Sequence, residues 1–285
     1  MILRIGSFIN PQHIFRAFKY AVYLLVTINI FLFFQEEALA TAQTFSQGIN
    51  LVDIIQGFAS TIDTAAWVLL LLLFEFETSI LDDQTLRQPR VQAFFIALRT
   101  FCYGFILYAS YGYISKMLLL HNISPLAIAD LCNQLGQGFS SIVTIDEYPP
   151  LDAQSCATLA NQELYRLDGQ RVIGSATDWS AIQWLAWVDV INSLAWIAVV
   201  VILEVDVWLQ LRGRLEGRFV SISQLIKVVL YAILFAAAVY WGLLGDFLDF
   251  WDAFLWLVAF VFIEMNIFQW QAETNAETSI GAEAV

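Results

Sequence analysis

Long apolar runs decide the solvent in which this chain folds. They recur from Tyr20–Phe34 through to Trp256–Phe268, in 285 residues that are 59% hydrophobic and only 14% charged. A water-soluble domain of this length cannot cover that much apolar surface, whereas a membrane-crossing helix needs roughly 20 mostly apolar residues. Unpaired backbone groups are too costly in hydrocarbon, so each run is expected to be a helix. The expected spans are Ile14–Phe34, Thr64–Leu81, Gln92–Ser115, Ile182–Leu209, Val220–Gly242 and Trp251–Trp270. The fold class expected is an all-α integral membrane protein of six helices.

Basic residues orient these spans, because cytoplasmic helix ends are enriched in Lys and Arg. Arg4, Arg16, Lys19, Arg87, Arg90, Arg99, Arg212, Arg214, Arg218 and Lys227 fall on one side, and only Lys116, Arg166 and Arg171 on the other. Both termini are therefore expected in the cytoplasm of a cell bounded by this plasma membrane, the inner membrane in a bacterium. Segments Gln35–Asp63, Leu118–Ala181 and Gly245–Asp252 are then outside. Those segments hold many of the acids behind the net charge of -13, among them Glu36, Glu37, Asp146, Asp152, Asp178 and Asp249. The plainest role for such acids is to solvate loops; an alternative is to concentrate cations at an entrance.

The triplet Ala38-Leu39-Ala40 imitates a signal-peptidase site, but the apolar run before it is longer than a signal peptide's, and the first helix is expected to be retained. Cys132 and Cys156 share the large outer loop and suggest a disulfide, whereas Cys102 lies within a span. Gly48–Ile62 carries apolar residues at helical spacing and is expected to be a connector, with a surface helix or a lid as rivals. Thr274–Val285 reads as a polar tail, or as a helix extending the sixth span. Small residues on the third helix (Gly104, Ala109, Gly112) and the fifth (Ala232, Ala236, Ala237) would allow close helix approach.

The even-numbered helices, laid over one another without gaps, share a pattern. Asp63, Trp67, Glu75 and Glu77 recur as Asn192, Trp196, Glu204 and Asp206, and again as Asp252, Trp256, Glu264 and Asn266. The odd-numbered helices repeat Lys19 and Tyr23 as Arg99 and Tyr103, then Lys227 and Tyr231. Three tandem hairpins follow, spanning residues 1–83, 84–212 with its outer loop 118–181, and 213–271, before a tail at 272–285. Such hairpins are expected to pack about a pseudo-threefold axis. Three hairpins are also the repeat count of the mitochondrial carrier family, to which the chain is similar in that respect alone: the carrier signature Pro-x-[Asp/Glu]-x-x-[Lys/Arg] is absent here.

Within each hairpin the basic residue and the Glu sit at matching depth, about 10 Å from the cytoplasmic end at 1.5 Å per residue. Intramembrane charge is costly unless paired, so Lys19 with Glu75, Arg99 with Glu204 and Lys227 with Glu264 are the expected pairs, each with a Tyr hydroxyl one turn deeper. The second acidic position (Glu77, Asp206, Asn266) is about 200° further round its helix and is expected to face a neighbouring repeat or a central space. Asp63, Asn192 and Asp252 read most simply as N-caps at the outer interface, and Trp67, Trp196 and Trp256 as packing residues beside them.

Carboxylates around a wet axis attract cations and take up protons when partly desolvated. The function expected is conduction of, or coupling to, cations or protons through Glu75, Glu77, Glu204, Asp206, Glu264 and Asn266. The alternative is a non-catalytic structural or assembly subunit whose ion pairs are architecture. With only His13 and His121, and no CxxC, Walker loop or HExxH, no cofactor, metal site, nucleic-acid partner or enzyme activity is expected. Expected partners are the lipid bilayer, a cation or proton, and further membrane subunits or copies of the chain.

Overall fold

The computed structural model describes residues 11–44, 54–55, 57–81, 85, 88–128, 130–211, 218–244 and 247–262. It is mostly helical: α1 (Pro11–Thr44), α2 (Ala59–Glu75) continuing into a π turn (Phe76–Ile80), α3 (Pro89–Leu120), a short α4 (Ala153–Leu159), α5 (Ala176–Leu211), α6 (Arg218–Leu244) and α7 (247–262). Four stretches, His13–Ala42, Pro89–Leu120, Ala176–Asp206 and Ser221–Leu244, are long and apolar enough to cross a membrane. Side chains such as Leu24, Phe31, Leu107, Trp184 and Phe235 are more than half exposed on these helices. In water that surface would be a liability, and in lipid it is the expected coat.

Helix ends depart from the expected spans by up to three turns. The α1 helix runs to Thr44 rather than Phe34, so Gln35–Ala42 is helix and not outer loop. Glu37, expected to solvate a loop, is 1% exposed: its carboxylate accepts from the Ser60 and Thr61 backbone N–H groups at 2.7 and 3.0 Å and from the Thr61 hydroxyl at 2.6 Å. It thus caps the N-terminus of α2 from a neighbouring helix, where the helix dipole favours an anion. Of the expected connector Gly48–Ile62, residues 48–53 and 56 lie outside the described residues; its last part, Ala59–Ile62, belongs to α2.

Close packing is confirmed at one of the expected glycines and not at another. A Cβ on Gly112 of α3 would stand 2.5 Å from the Ile55 carbonyl oxygen and 3.1 Å from Ala59, whereas Gly104 has nothing within 4 Å. Ser110 and Ser193 hydrogen-bond to each other between α3 and α5.

The expectation of an all-α fold is corrected by the segment between α3 and α5, which the expected orientation would place outside and whose end of the bundle is called the outer end for that reason. It contains a four-stranded sheet in the order β1-β3-β4-β2, with β1 (Ile123–Pro125) antiparallel to β3 (Leu164–Leu167), β3 antiparallel to β4 (Val172–Ser175), and β2 (Ser140–Ser141) parallel to β4. The β3–β4 turn carries Gly169 at φ +75 with Gln170 N–H donating to the Leu167 carbonyl, a geometry that needs positive φ at its third residue. Outside the lipid, short strands can satisfy their backbone groups against one another, so the requirement for helix lapses there.

This outer module has its own small core of Leu131, Leu151, Leu159, Leu164 and Ile173 around Cys156, which is bonded to Cys132. The expected disulfide is present, and Cys102 is a buried free thiol. Lys116, near the outer end of α3, reaches into the module and meets Asp146 at 2.6 Å. On the other side β4 passes directly into α5, whose first turn is closed by reciprocal bonds between Ser175 and Asp178 and by Trp179, buried, donating to the Tyr165 carbonyl.

Candidate functional site: an outer axial cup and an inner set of charged pairs

Two levels of the bundle carry the singled-out residues. At the outer level, Asp63, Asn192 and Asp252 line a single cavity of about 50 Å³. The N-cap reading of these three is corrected. Helix α2 begins at Ala59, α5 at Ala176 and α7 by residue 247, so all three lie inside helices, while Glu37 and the Ser175–Asp178 pair do the capping.

Trp67, Trp196 and Trp256, one turn further along, line the same cavity and converge on one another. The Trp67 ring is 6.1 Å from Trp196 and 6.2 Å from Trp256, and Phe260 packs 4.5 Å from Trp196. These rings are buried at the heart of the helical core with Val26, Leu71, Val199 and Ala259. They form an aromatic floor. The three Trp-bearing segments therefore stand at one height.

Two further sets of lining residues were not read as repeated positions in the sequence, Asp249 being counted there only among the loop acids. Ser60, Asp189 and Asp249 lie three residues before Asp63, Asn192 and Asp252, and Phe33, Tyr113 and Trp241 lie fourteen residues after Lys19, Arg99 and Lys227. The signal that would have found them is the same interval arithmetic, carried to positions where the residue type changes between copies.

Hydrogen bonding in the cup is dense but incomplete. Asn29 of α1 donates to Asp252 at 2.7 Å, and the Tyr113 hydroxyl donates to Asp63 at 3.4 Å. Buried polar atoms without a protein partner among the described residues include Asp63 Oδ1, Asn192 Oδ1 and the Trp241 indole N–H. Buried polar groups are normally satisfied by protein or by ordered water, and a cavity of about 50 Å³ has room for a few water-sized occupants. No group of three or more His, Cys, Asp or Glu side chains among the described residues is arranged to hold a metal ion.

The inner level is built from interhelical ties. Lys19 Nζ lies 2.6 and 2.8 Å from the two Glu75 oxygens, both residues being buried, with Tyr20 and Tyr23 donating to the same carboxylate at 3.0 and 3.4 Å. That pair is the one expected from the sequence. Of the other two expected pairs, Arg99 with Glu204 is corrected, and Lys227 with Glu264 has its acid outside the described residues. Arg99 turns to Glu77 and not to Glu204, while Lys227 meets Asp206 at 3.0 Å, sharing that carboxylate with the Ser223 hydroxyl at 2.6 Å.

The physical reason is rotation about the helix. A carboxylate two residues beyond the Glu faces away from the helix before its own and toward the helix after it, where the basic residue is within reach. Glu77 also lies in the π turn at Phe76–Ile80, a widened turn in the helix. Among the described residues Glu204 has the Tyr103 hydroxyl at 2.8 Å. Glu264 and Asn266 lie outside the described residues, and Tyr231 packs against the helical core.

Glu77 and Asp206, expected to face a neighbouring repeat or a central space, thus face a neighbour. Each is neutralised by a cation on the next membrane-length helix in the chain, Glu77 by Arg99 of α3 and Asp206 by Lys227 of α6. Set against known protein families, curated proteins and solved structures, the chain matches none of them.

Proposed function

We propose that this chain is a six-span plasma-membrane protein of three tandem hairpins about a pseudo-threefold axis, with both termini cytoplasmic, and that it couples to cations or protons through the acidic cup at the outer end of that axis. The observation that carries the reading is the lining of one cavity by residues at matched intervals in three stretches of sequence. Ser60, Asp189 and Asp249, then Asp63, Asn192 and Asp252, then Trp67, Trp196 and Trp256, follow one another down its wall. Coincidence of nine positions is a poor account of that register. The six-span count is supported by α2 and its π turn, which together run unbroken from Ala59 to Ile80, and by α7, which packs into the same core.

Four carboxylates, Asp63, Asp189, Asp249 and Asp252, stand round a small enclosed space with aromatic walls. Like charges confined together favour an arriving cation or a shared proton, since either relieves the repulsion. The intramembrane acids Glu75, Glu77 and Asp206 serve the same function indirectly, as ties that hold the helices in register, because each already has a basic partner.

The second reading is a non-catalytic assembly subunit, and the packed Trp67, Trp196, Trp256 and Phe260 rings favour it by filling the axis below the cup. Flux decides between them. In phosphatidylcholine liposomes, cation- or proton-driven flux by the native chain should be lost in Asp63→Asn with Asp252→Asn. Glu77→Gln with Asp206→Asn should keep its ion preference and lose stability instead. A native chain that moves no ion, and whose intrinsic fluorescence does not respond to cations or pH, would leave the assembly reading.

A further inference from the structure

Near the Lys19 end of the bundle, each of Glu75, Glu77 and Asp206 has a lysine or arginine against it. Glu204 differs. Among the described residues its partner is the Tyr103 hydroxyl, and Arg99, the base at the matching place on α3, is committed to Glu77. Beside Glu204 lies a groove of about 540 Å³ between α3 and α5, walled by Ile106, Leu107, Ile197, Val200 and Val201, with Trp67 also in its lining. Glu204 and Tyr103 are its polar groups.

We propose that this groove binds a single-chain amphiphile with a primary ammonium head, held by Glu204 and Tyr103. The first hairpin supplies the template. There the Lys19 ammonium sits against both Glu75 oxygens with the Tyr23 hydroxyl on the same carboxylate, and the lysine itself is buried. Tyr103 repeats the position of Tyr23 and Glu204 that of Glu75, so an alkylammonium lying in the groove reproduces the arrangement with its own chain in place of the lysine stem.

Chemistry selects this occupant over a neutral one. A carboxylate at membrane depth is costly without a counterion, and an ammonium that hydrogen-bonds to it forms a charge-assisted contact stronger than a neutral one. The groove is of the size that takes a drug-sized molecule rather than a two-chain phospholipid. Its single charged group lies at one end, as an amphiphile requires.

The test uses the full chain in phosphatidylcholine nanodiscs and measures saturable binding of dodecylamine, with dodecanol as the neutral match. The native chain should prefer the amine by at least about tenfold, the ratio expected for a charge-assisted over a neutral hydrogen bond. Glu204→Gln, which keeps the Tyr103 contact and so leaves the helix packing intact, should reduce that preference to under about twofold while retaining dodecanol binding. Tyr103→Phe should weaken the amine by a few fold with the carboxylate still present, and Val200→Trp should exclude both ligands. Equal binding of the two by the native chain, an amine preference that survives Glu204→Gln, or binding untouched by Val200→Trp would overturn the assignment. Phosphatidylethanolamine competing as well as dodecylamine would give the groove to an ordinary bilayer lipid, and would also overturn it. None of these outcomes depends on whether the outer cup binds ions.

Discussion

The outer and inner ends of the same helices treat matched residues in opposite ways. At the outer end Asp63, Asn192 and Asp252 come together with their tryptophans around one space, whereas at the inner end the acids disperse into separate contacts with Lys19, Arg99, Tyr103 and Lys227. An identical interval in sequence thus fixes height along a helix but leaves the partner open. Convergence needs the residues to face one shared cavity; dispersal follows when they face the seams between helices.

The comparison is broken most severely at Lys19. Lys19→Met leaves Glu75 buried without its cation and should cost about 3–5 kcal/mol in a denaturant titration of the purified protein, while Lys19→Met with Glu75→Gln recovers most of that loss. A double variant no more stable than the single would mean that the pair is not what holds α1 to α2. Next in size is the disulfide: replacing Cys132 and Cys156 by Ser should destabilise the outer module by about 2–4 kcal/mol. Hydrogen exchange should localise that loss to the strands and spare the membrane helices.

Gly112→Ala probes the outer end from within the bundle. Its new methyl group would meet the Ile55 carbonyl, so a loss of about 1–3 kcal/mol is expected, against under 1 kcal/mol for Gly104→Ala, which meets nothing. Thermal midpoints of the two variants, compared side by side, make the check. The smallest effect belongs to Arg99→Ala. The Arg99 and Glu77 side chains are 38% and 23% exposed, so a pair of this kind is worth about 1 kcal/mol or less, several-fold below Lys19–Glu75. Equal losses at the two sites would erase the distinction between a buried tie and a peripheral one.

What could be read from the sequence follows the same division. The heights of Trp67, Trp196 and Trp256 were legible because the rise along a helix is constant, and Lys19–Glu75 because the two helices are consecutive and the side chains long. The Arg99 and Lys227 partners were not legible, since they depend on how hairpins rotate against each other. Glu37 was misread as a loop acid because α1 continues three turns past its apolar run, on polar residues that only the cap on α2 explains.

The outer sheet was missed for a different reason. Apolar runs locate membrane helices and are blind to strands of two to four residues, yet Asp168-Gly169 between Leu164–Leu167 and Val172–Ser175 is a hairpin signal that stood in the sequence. Of the cup, six positions were read from the sequence, and six more stood at the same intervals from residues already named. Their residue types vary, as Ser60 does against Asp189 and Asp249, and a search for identical letters passes over them.

The direct passage of β4 into α5 has a practical outcome. With no spare residue at Ser175–Ala176 to act as a swivel, and with Lys116 gripping Asp146 on the opposite side, an antibody fragment clamped on the sheet inherits the tilt of the long helix beneath it. Such a fragment would serve as a fixed fiducial for particle alignment, in a protein whose remaining mass is largely hidden by detergent or lipid.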